Sequence, residues 1–147
     1  MKSLRILFPF LLALLSGCAS STAQAPDLIA PSAGKAAIYI YRVDLFTSAE
    51  SLAPNVRINY ENIGTLTRHG YFRVEVDSGP TQVALYKFDR GEDNTFWPAE
   101  KNSIVDLKLA PNSTHFVELS LNSSDYSFGE VSRDTALKSL SGMHPLN

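Results

Sequence analysis

The sequence is 147 residues long and holds one cysteine, one tryptophan and three histidines. A single cysteine excludes a disulfide framework and any multi-cysteine metal site. Thirteen basic side chains against fifteen acidic ones leave a net charge of −2, so the basic excess that nucleic-acid binding by bulk electrostatics requires is missing. Eight Gly and eight Pro are too few for a fibrous or low-complexity chain. There is no Gly-x-Ser-x-Gly elbow, phosphate loop or dinucleotide fingerprint. His69, His115 and His144 form no His-x-x-x-His pair, and His115 and Glu118 lie three apart in a predicted strand. Such a spacing points them to opposite faces, where they cannot chelate one ion. No catalytic residue, metal or cofactor is expected. What remains is 44% hydrophobic and 19% charged, the composition of one globular domain.

The first residues carry a distinct message. Lys2 and Arg5 precede the apolar run Ile6 to Leu15, which ends in the small residues Ser16 and Gly17. A basic start, a short apolar run and small residues at its end make a secretory signal peptide. The run is about half the ~20 residues that a membrane-spanning helix needs, and Pro9 weakens a helix there further. Leu15-Ser16-Gly17-Cys18 looks like the bacterial lipoprotein signal motif. The resemblance implies cleavage after Gly17, a diacylglycerol thioether on the Cys18 sulfur and an acyl chain such as palmitate on the new amine. Removal of residues 1–17 leaves 15 acidic against 11 basic side chains, so the anchor draws on acyl chains and not on protein charge. Two or more chains anchor stably, where a single chain is marginal. Ala19 follows the cysteine where an inner-membrane retention signal has Asp, which by the same resemblance implies the outer membrane and a domain facing the periplasm.

Residues 18–35 are small, polar and broken by Pro26, Pro31 and Gly34, which predicts a lipidated N-terminus and flexible tether. Leu28-Ile29 has a second reading as a short strand or plug at the domain edge. From Ala36 the hydrophobic period becomes two. Strands are predicted over Ala36–Val43, Asn55–Tyr60, Ile63–Leu66, Tyr71–Val76, Thr81–Phe88, Ser103–Leu109, Thr114–Leu121 and Tyr126–Val131. Turns are expected at Glu61-Asn62, at Thr67 to Gly70 with Gly70 at positive φ, at Asp77 to Pro80 and at Ala110 to Ser113. Phe72, Val74 and Val76 face inward, with Arg73 and Glu75 outward. Ser132 as N-cap, Asp134, the spacing of Ala136, Leu137 and Leu140, and Gly142 at the end predict a short C-terminal helix. The expected fold is all-β, an antiparallel β-sandwich of seven or eight strands over residues 36–147.

Ile38-Tyr39-Ile40-Tyr41-Arg42, Val56-Arg57-Ile58-Asn59, Ile63-Gly64-Thr65-Leu66 and Gly70-Tyr71-Phe72-Arg73-Val74 together resemble a family of small bacterial lipoproteins of unknown function. The resemblance covers Ala36 to Phe88 and implies a transthyretin-like or immunoglobulin-like sandwich; it brings no catalytic residues. Many relatives show an Asp-Gly turn where this chain has Asn59-Tyr60-Glu61-Asn62.

Candidate sites are few. Phe96 and Trp97 beside the polar loop Asp89 to Asn94 form a candidate ligand patch, with core capping by Trp97 as the alternative. The loop lacks the ligand ladder of a calcium site. Tyr39 and Tyr41, with Arg42, either line a groove or pack as cross-strand partners, and packing is expected. The sequence thus points to a non-enzymatic, membrane-anchored module for a protein or envelope component, held to the bilayer through Cys18. A hydrolase or carbohydrate-active enzyme with unrevealed carboxylates, and a small-ligand carrier, are the alternatives.

Overall fold

The computed structural model describes residues 27–44, 53–86, 103–122 and 126–147. Their order is β1 (Lys35–Asp44), β2 (Asn55–Ile58), β3 (Glu61–Thr65), β4 (Gly70–Asp77), β5 (Gly79–Tyr86), β6 (Ile104–Leu109), β7 (Thr114–Leu121), β8 (Tyr126–Glu130), α1 (Arg133–Leu140) and β9 (His144–Pro145). A five-stranded sheet, β8-β7-β1-β4-β9, faces a four-stranded one, β3-β2-β5-β6. The all-β sandwich with a short C-terminal helix is borne out. Two pairings depart from the antiparallel expectation: β1 runs parallel to β7, and β4 parallel to β9. β1 takes the centre of its sheet because both its faces are apolar, so Ala36 to Tyr41 are all buried.

Alternation sorts the core. Ile38 and Ile40 of β1, Phe72 of β4, and Val117 and Leu119 of β7 meet Val56, Ile58, Val83, Leu85 and Leu107 of the other sheet. Val74 and Val76 pack against this cluster, as expected for the inward side of β4. The opposite face of the five-stranded sheet is also covered. Tyr39, Tyr41 and Phe116 pack there with Ala136 and Leu140 of α1 and with Leu28. Tyr39 stacks on Phe116 with ring centroids 5.6 Å apart. The tyrosines are therefore packed, under a third layer. Arg42 does not accompany them. Its parity places it with Ile38 and Ile40 on the inter-sheet side, where it is buried.

Helix α1 starts as its sequence dictates: Ser132 accepts a hydrogen bond from the Thr135 backbone N–H, Asp134 lies in the first turn and Lys138 in the last. Gly142 follows at φ +83°. Two turns differ from expectation. The β2–β3 hairpin turns on Asn59 and Tyr60, at φ +47° and +72°, and not on Glu61-Asn62. Positive φ at both turn residues is the geometry whose twist matches a two-residue hairpin. At the next turn His69, not Gly70, takes positive φ. Gly70 serves another need: a Cβ there would come within 2.6 Å of Leu146 Cδ2, so its missing side chain makes room for the C-terminal tail.

Residues 27–34, within the predicted tether, lie across the outer face of the five-stranded sheet. The Ile29 N–H donates to Tyr39 Oη, the Arg73 guanidinium donates to the carbonyls of Ile29 and Ala30, and the Ser32 hydroxyl donates to Glu75. Leu28 packs against the Tyr39 cluster, as the plug reading expects, whereas Ile29 stays 64% exposed. Cys18, Phe88, Phe96 and Trp97 lie outside the described residues.

Candidate binding cleft

An open cleft of about 340 Å³ lies between the β2–β3 hairpin and β4. Its floor is apolar: Ile58, buried in the core, and Ile63, Val74 and Val76, which the two sheets cover only in part. A bulge shapes one wall. Val56 pairs with Gly64 but Arg57 with Asn62, so Ile63 is the extra residue. A bulge re-aims a side chain in this way, here toward the core and the cleft. Gly64 sits at φ +143°, with the Phe72 ring 2.9 Å from where a Cβ would be.

The rim is acidic. Glu61, Glu75 and Asp77 border the cleft together with one base, Lys35. Lys35 Nζ donates to Asp77 Oδ1 at 2.6 Å and Arg73 to Glu75 Oε1 at 2.7 Å. Bonds from Arg73, then from Ser32, hold the Glu75 carboxyl below the usual carboxylate range. Glu61 has no ion pair among the described residues. Tyr60, between the cleft residues Asn59 and Glu61, is 80% exposed.

The same end of the sandwich carries a contact that sequence spacing did not reveal. Ser113 Oγ lies 2.9 Å from His115 Nε2, and His115 Nδ1 lies 2.6 Å from Glu130 Oε1. In the sequence, Glu118 is three residues from His115 and on the opposite face of the strand. The β7–β8 pairing instead sets Glu130 opposite Val117 and so beside His115 on the same face. Alternation along the two predicted strands was the available signal; the register was not. The order hydroxyl, imidazole, carboxylate is that of an acyl-transfer triad. Here, however, the Ser113 hydroxyl donates to the Ala110 carbonyl at 2.6 Å, the shorter of its contacts. Its proton is engaged in the turn, which suits an anchored β6–β7 connection better than a nucleophile.

At the opposite end, Arg42 Nε donates to Asp44 Oδ1 at 2.6 Å, and both side chains are fully buried. Arg68 Nε lies 3.1 Å from the other carboxylate oxygen. Two guanidinium groups thus neutralise one buried carboxylate where Asp44, Tyr86 and Leu121 end their strands. On the helix side, the Tyr41 hydroxyl donates to Glu118 at 2.8 Å, and Ser139 of α1 donates to the same oxygen. Burial, then the bond to Glu118, pushes the Tyr41 hydroxyl above its ordinary pKa. Among the described residues no group of three His, Cys, Asp or Glu is placed to hold a metal ion, and no helix is long and apolar enough to cross a membrane.

Fold and surface together define a two-sheet β-sandwich with one helix packed on its outer face and an acidic-rimmed cleft at its open edge. Residues 32–130 match the family described as protein of unknown function DUF2846. The match takes in more than half of the chain, which belongs to that family. It spans β1 to β8, and with them every cleft residue and the Ser113–His115–Glu130 contact. No curated protein and no solved structure matches the chain.

Proposed function

We propose that the chain is a bacterial lipoprotein, anchored by acyl chains on Cys18 to the outer membrane, whose sandwich faces the periplasm and binds a protein or envelope component. The observation that carries the binding part is the open cleft, where inter-sheet apolar side chains stay accessible under an acidic rim. A sandwich that leaves Ile63, Val74 and Val76 only partly covered exposes apolar surface of the kind binding sites use. The signal-like residues 1–17 and the position of Cys18 support the anchor. Between Cys18 and Asp27 the chain spans at most about 30 Å fully extended, so an anchored domain stays close to the bilayer. The two-sheet sandwich supports the transthyretin-like or immunoglobulin-like reading that the lipoprotein-family resemblance implies.

Two measurements on the native chain test this. Mass analysis of the purified protein finds a thioether-linked diacylglycerol on Cys18, and Cys18→Ser moves the chain out of the membrane fraction. In intact cells, photo-crosslinkers placed over the surface of the sandwich capture one reproducible component. A bare Cys18, or a Cys18→Ser chain that still sediments with membranes, refutes the anchor. Crosslinkers that capture nothing at any position refute the binding role.

The order of Ser113, His115 and Glu130 raises a second reading, an envelope hydrolase, against which the bond from the Ser113 hydroxyl to the Ala110 carbonyl counts. A fluorophosphonate probe that labels the chain, with labelling lost in Ser113→Ala, would support that reading over the first.

A further inference from the structure

The cleft has a backbone side as well as a side-chain side. In β4 the even residues face β1, because Lys35 and Ala37 of β1 turn their own backbone groups toward the β6–β7 connection. The odd residues of β4 therefore face the sheet edge. The first two are covered: the Leu146 N–H donates to the Tyr71 carbonyl, and the Asn147 side-chain amide meets both the N–H and the C=O of Arg73. Pairing with β9 stops at Tyr71. Beyond Arg73, no described residue meets the outward N–H and C=O of Glu75. The edge is thus open along the stretch whose inward residues, Val74 and Val76, form the cleft floor.

We propose, building on the binding role above, that the cleft takes an extended basic peptide segment which adds to the open edge of β4 beside Val74 to Asp77. Backbone pairing on Glu75 would supply the attachment, and side-chain alternation the selectivity. A strand laid there turns every second side chain inward, onto Ile63, Val74 and Val76, and the others outward, beside Glu75 and Asp77. Cross-strand neighbours of opposite charge stabilise and like charges repel. The matching segment therefore alternates apolar residues with Lys or Arg. A second copy of this chain pairing edge to edge would bring Glu75 and Asp77 against their own equivalents, which argues against self-association. Tyr60 fits the same picture. It is a large aromatic, 80% exposed and held at φ +72° beside the cleft, free to cover a bound segment.

The test uses the full chain in detergent micelles, with amide hydrogen exchange read residue by residue and the synthetic peptide Lys-Val-Lys-Val-Lys-Val as probe. Saturating peptide is expected to slow exchange of the Glu75 amide at least tenfold, leaving β7 and β8 amides unchanged. Glu-Val-Glu-Val-Glu-Val is expected to have no effect. Glu75→Pro removes the outward N–H without touching the β1 ladder and is expected to weaken binding at least tenfold. Glu75→Gln, which keeps the N–H, is expected to weaken it only a few-fold. Should Glu75→Pro fail to fold, Ile63→Lys, which puts a cation on the cleft floor, is expected to abolish binding. A Glu75 amide already protected in the free chain overturns the proposal, as does equal binding of both peptides. A concentration-dependent dimer that protects Glu75 overturns it in favour of self-pairing. In-cell crosslinks from other faces but none from β4 overturn this inference and leave the anchored binding role standing.

Discussion

Gly64 offers the sharpest check on how the cleft wall is built. Two separate penalties meet any side chain there. Its φ of +143° is one that residues with a Cβ rarely adopt, and the added carbon would lie 2.9 Å from Phe72 Cζ and 3.2 Å from Cε1. Phe72 is only 3% exposed and packs in the inter-sheet cluster, so its ring has little room to retreat. Gly79 supplies the control, with φ +131° but nothing within 4 Å of a built Cβ. Backbone strain alone costs about 1–3 kcal/mol, and forcing a carbon into a packed core adds about 1–3 kcal/mol. Gly79→Ala should therefore lose about 1–3 kcal/mol and Gly64→Ala about 2–6 kcal/mol. Urea unfolding followed by circular dichroism measures both, the difference appearing as a shift of midpoint at constant slope. Phe72→Leu shortens the opposing ring, so the cost of Gly64→Ala in that background should fall to the Gly79→Ala value. If the two glycine variants lose the same stability within ~0.5 kcal/mol, or if Phe72→Leu leaves the cost of Gly64→Ala unchanged, the Phe72 contact does not shape this wall.

Three further outcomes are expected. Asp44→Ala strips the buried carboxylate from between Arg42 and Arg68 and should cost about 3–5 kcal/mol, whereas Lys35→Ala, which breaks the exposed pair with Asp77, should cost under ~1 kcal/mol; urea midpoints compare the two. Because the Glu75 carboxyl sits below its ordinary value of 4.5, its contribution is fully present above about pH 4.5 and is lost as pH falls through the depressed value. Exchange of the Ser32 amide, which donates to Glu75, should rise on that acid side, and Glu75→Gln should remove the pH dependence. Tyr60→Gly relieves the positive φ at the hairpin tip and should stabilise the chain by about 1 kcal/mol, read as a higher Tm; a loss of stability would show that the ring packs where it is now exposed.

Local chemistry made much of this fold legible. The β-branched and aromatic run of β1, the faultless alternation of β4, and the Ser132 cap with Gly142 at the end of α1 are all short-range signals. What escaped the sequence depends on register and on pairing between distant segments. Asp44, two residues on along the same face of β1, is a local partner for Arg42, but nothing near either announces that Arg68 reaches the same carboxylate, and nothing near His115 announces Glu130 across a strand pair. Tyr39 and Tyr41 read as cross-strand packing, yet what covers them is a helix almost a hundred residues later and Leu28 just upstream. The hairpin turn moved by two residues because Asn59 also binds Gln82, its Oδ1 accepting from the Gln82 N–H across the sheet. The cleft was invisible for the same reason. It exists only where β3 and β4, in different sheets, fail to cover each other.

The parallel pairing of β1 with β7 also bears on how the chain comes to be folded. The first strand of the sandwich finds one of its two neighbours only when Thr114 to Leu121 have been made. Until then Ile38 and Ile40 lack Val117 and Leu119 beside them in the core, and closure must wait for a contact between segments far apart along the chain, which is slow. A polypeptide emerging from its amino end would leave β1 uncommitted on that side until Leu121 has been made, so the sandwich is sealed late.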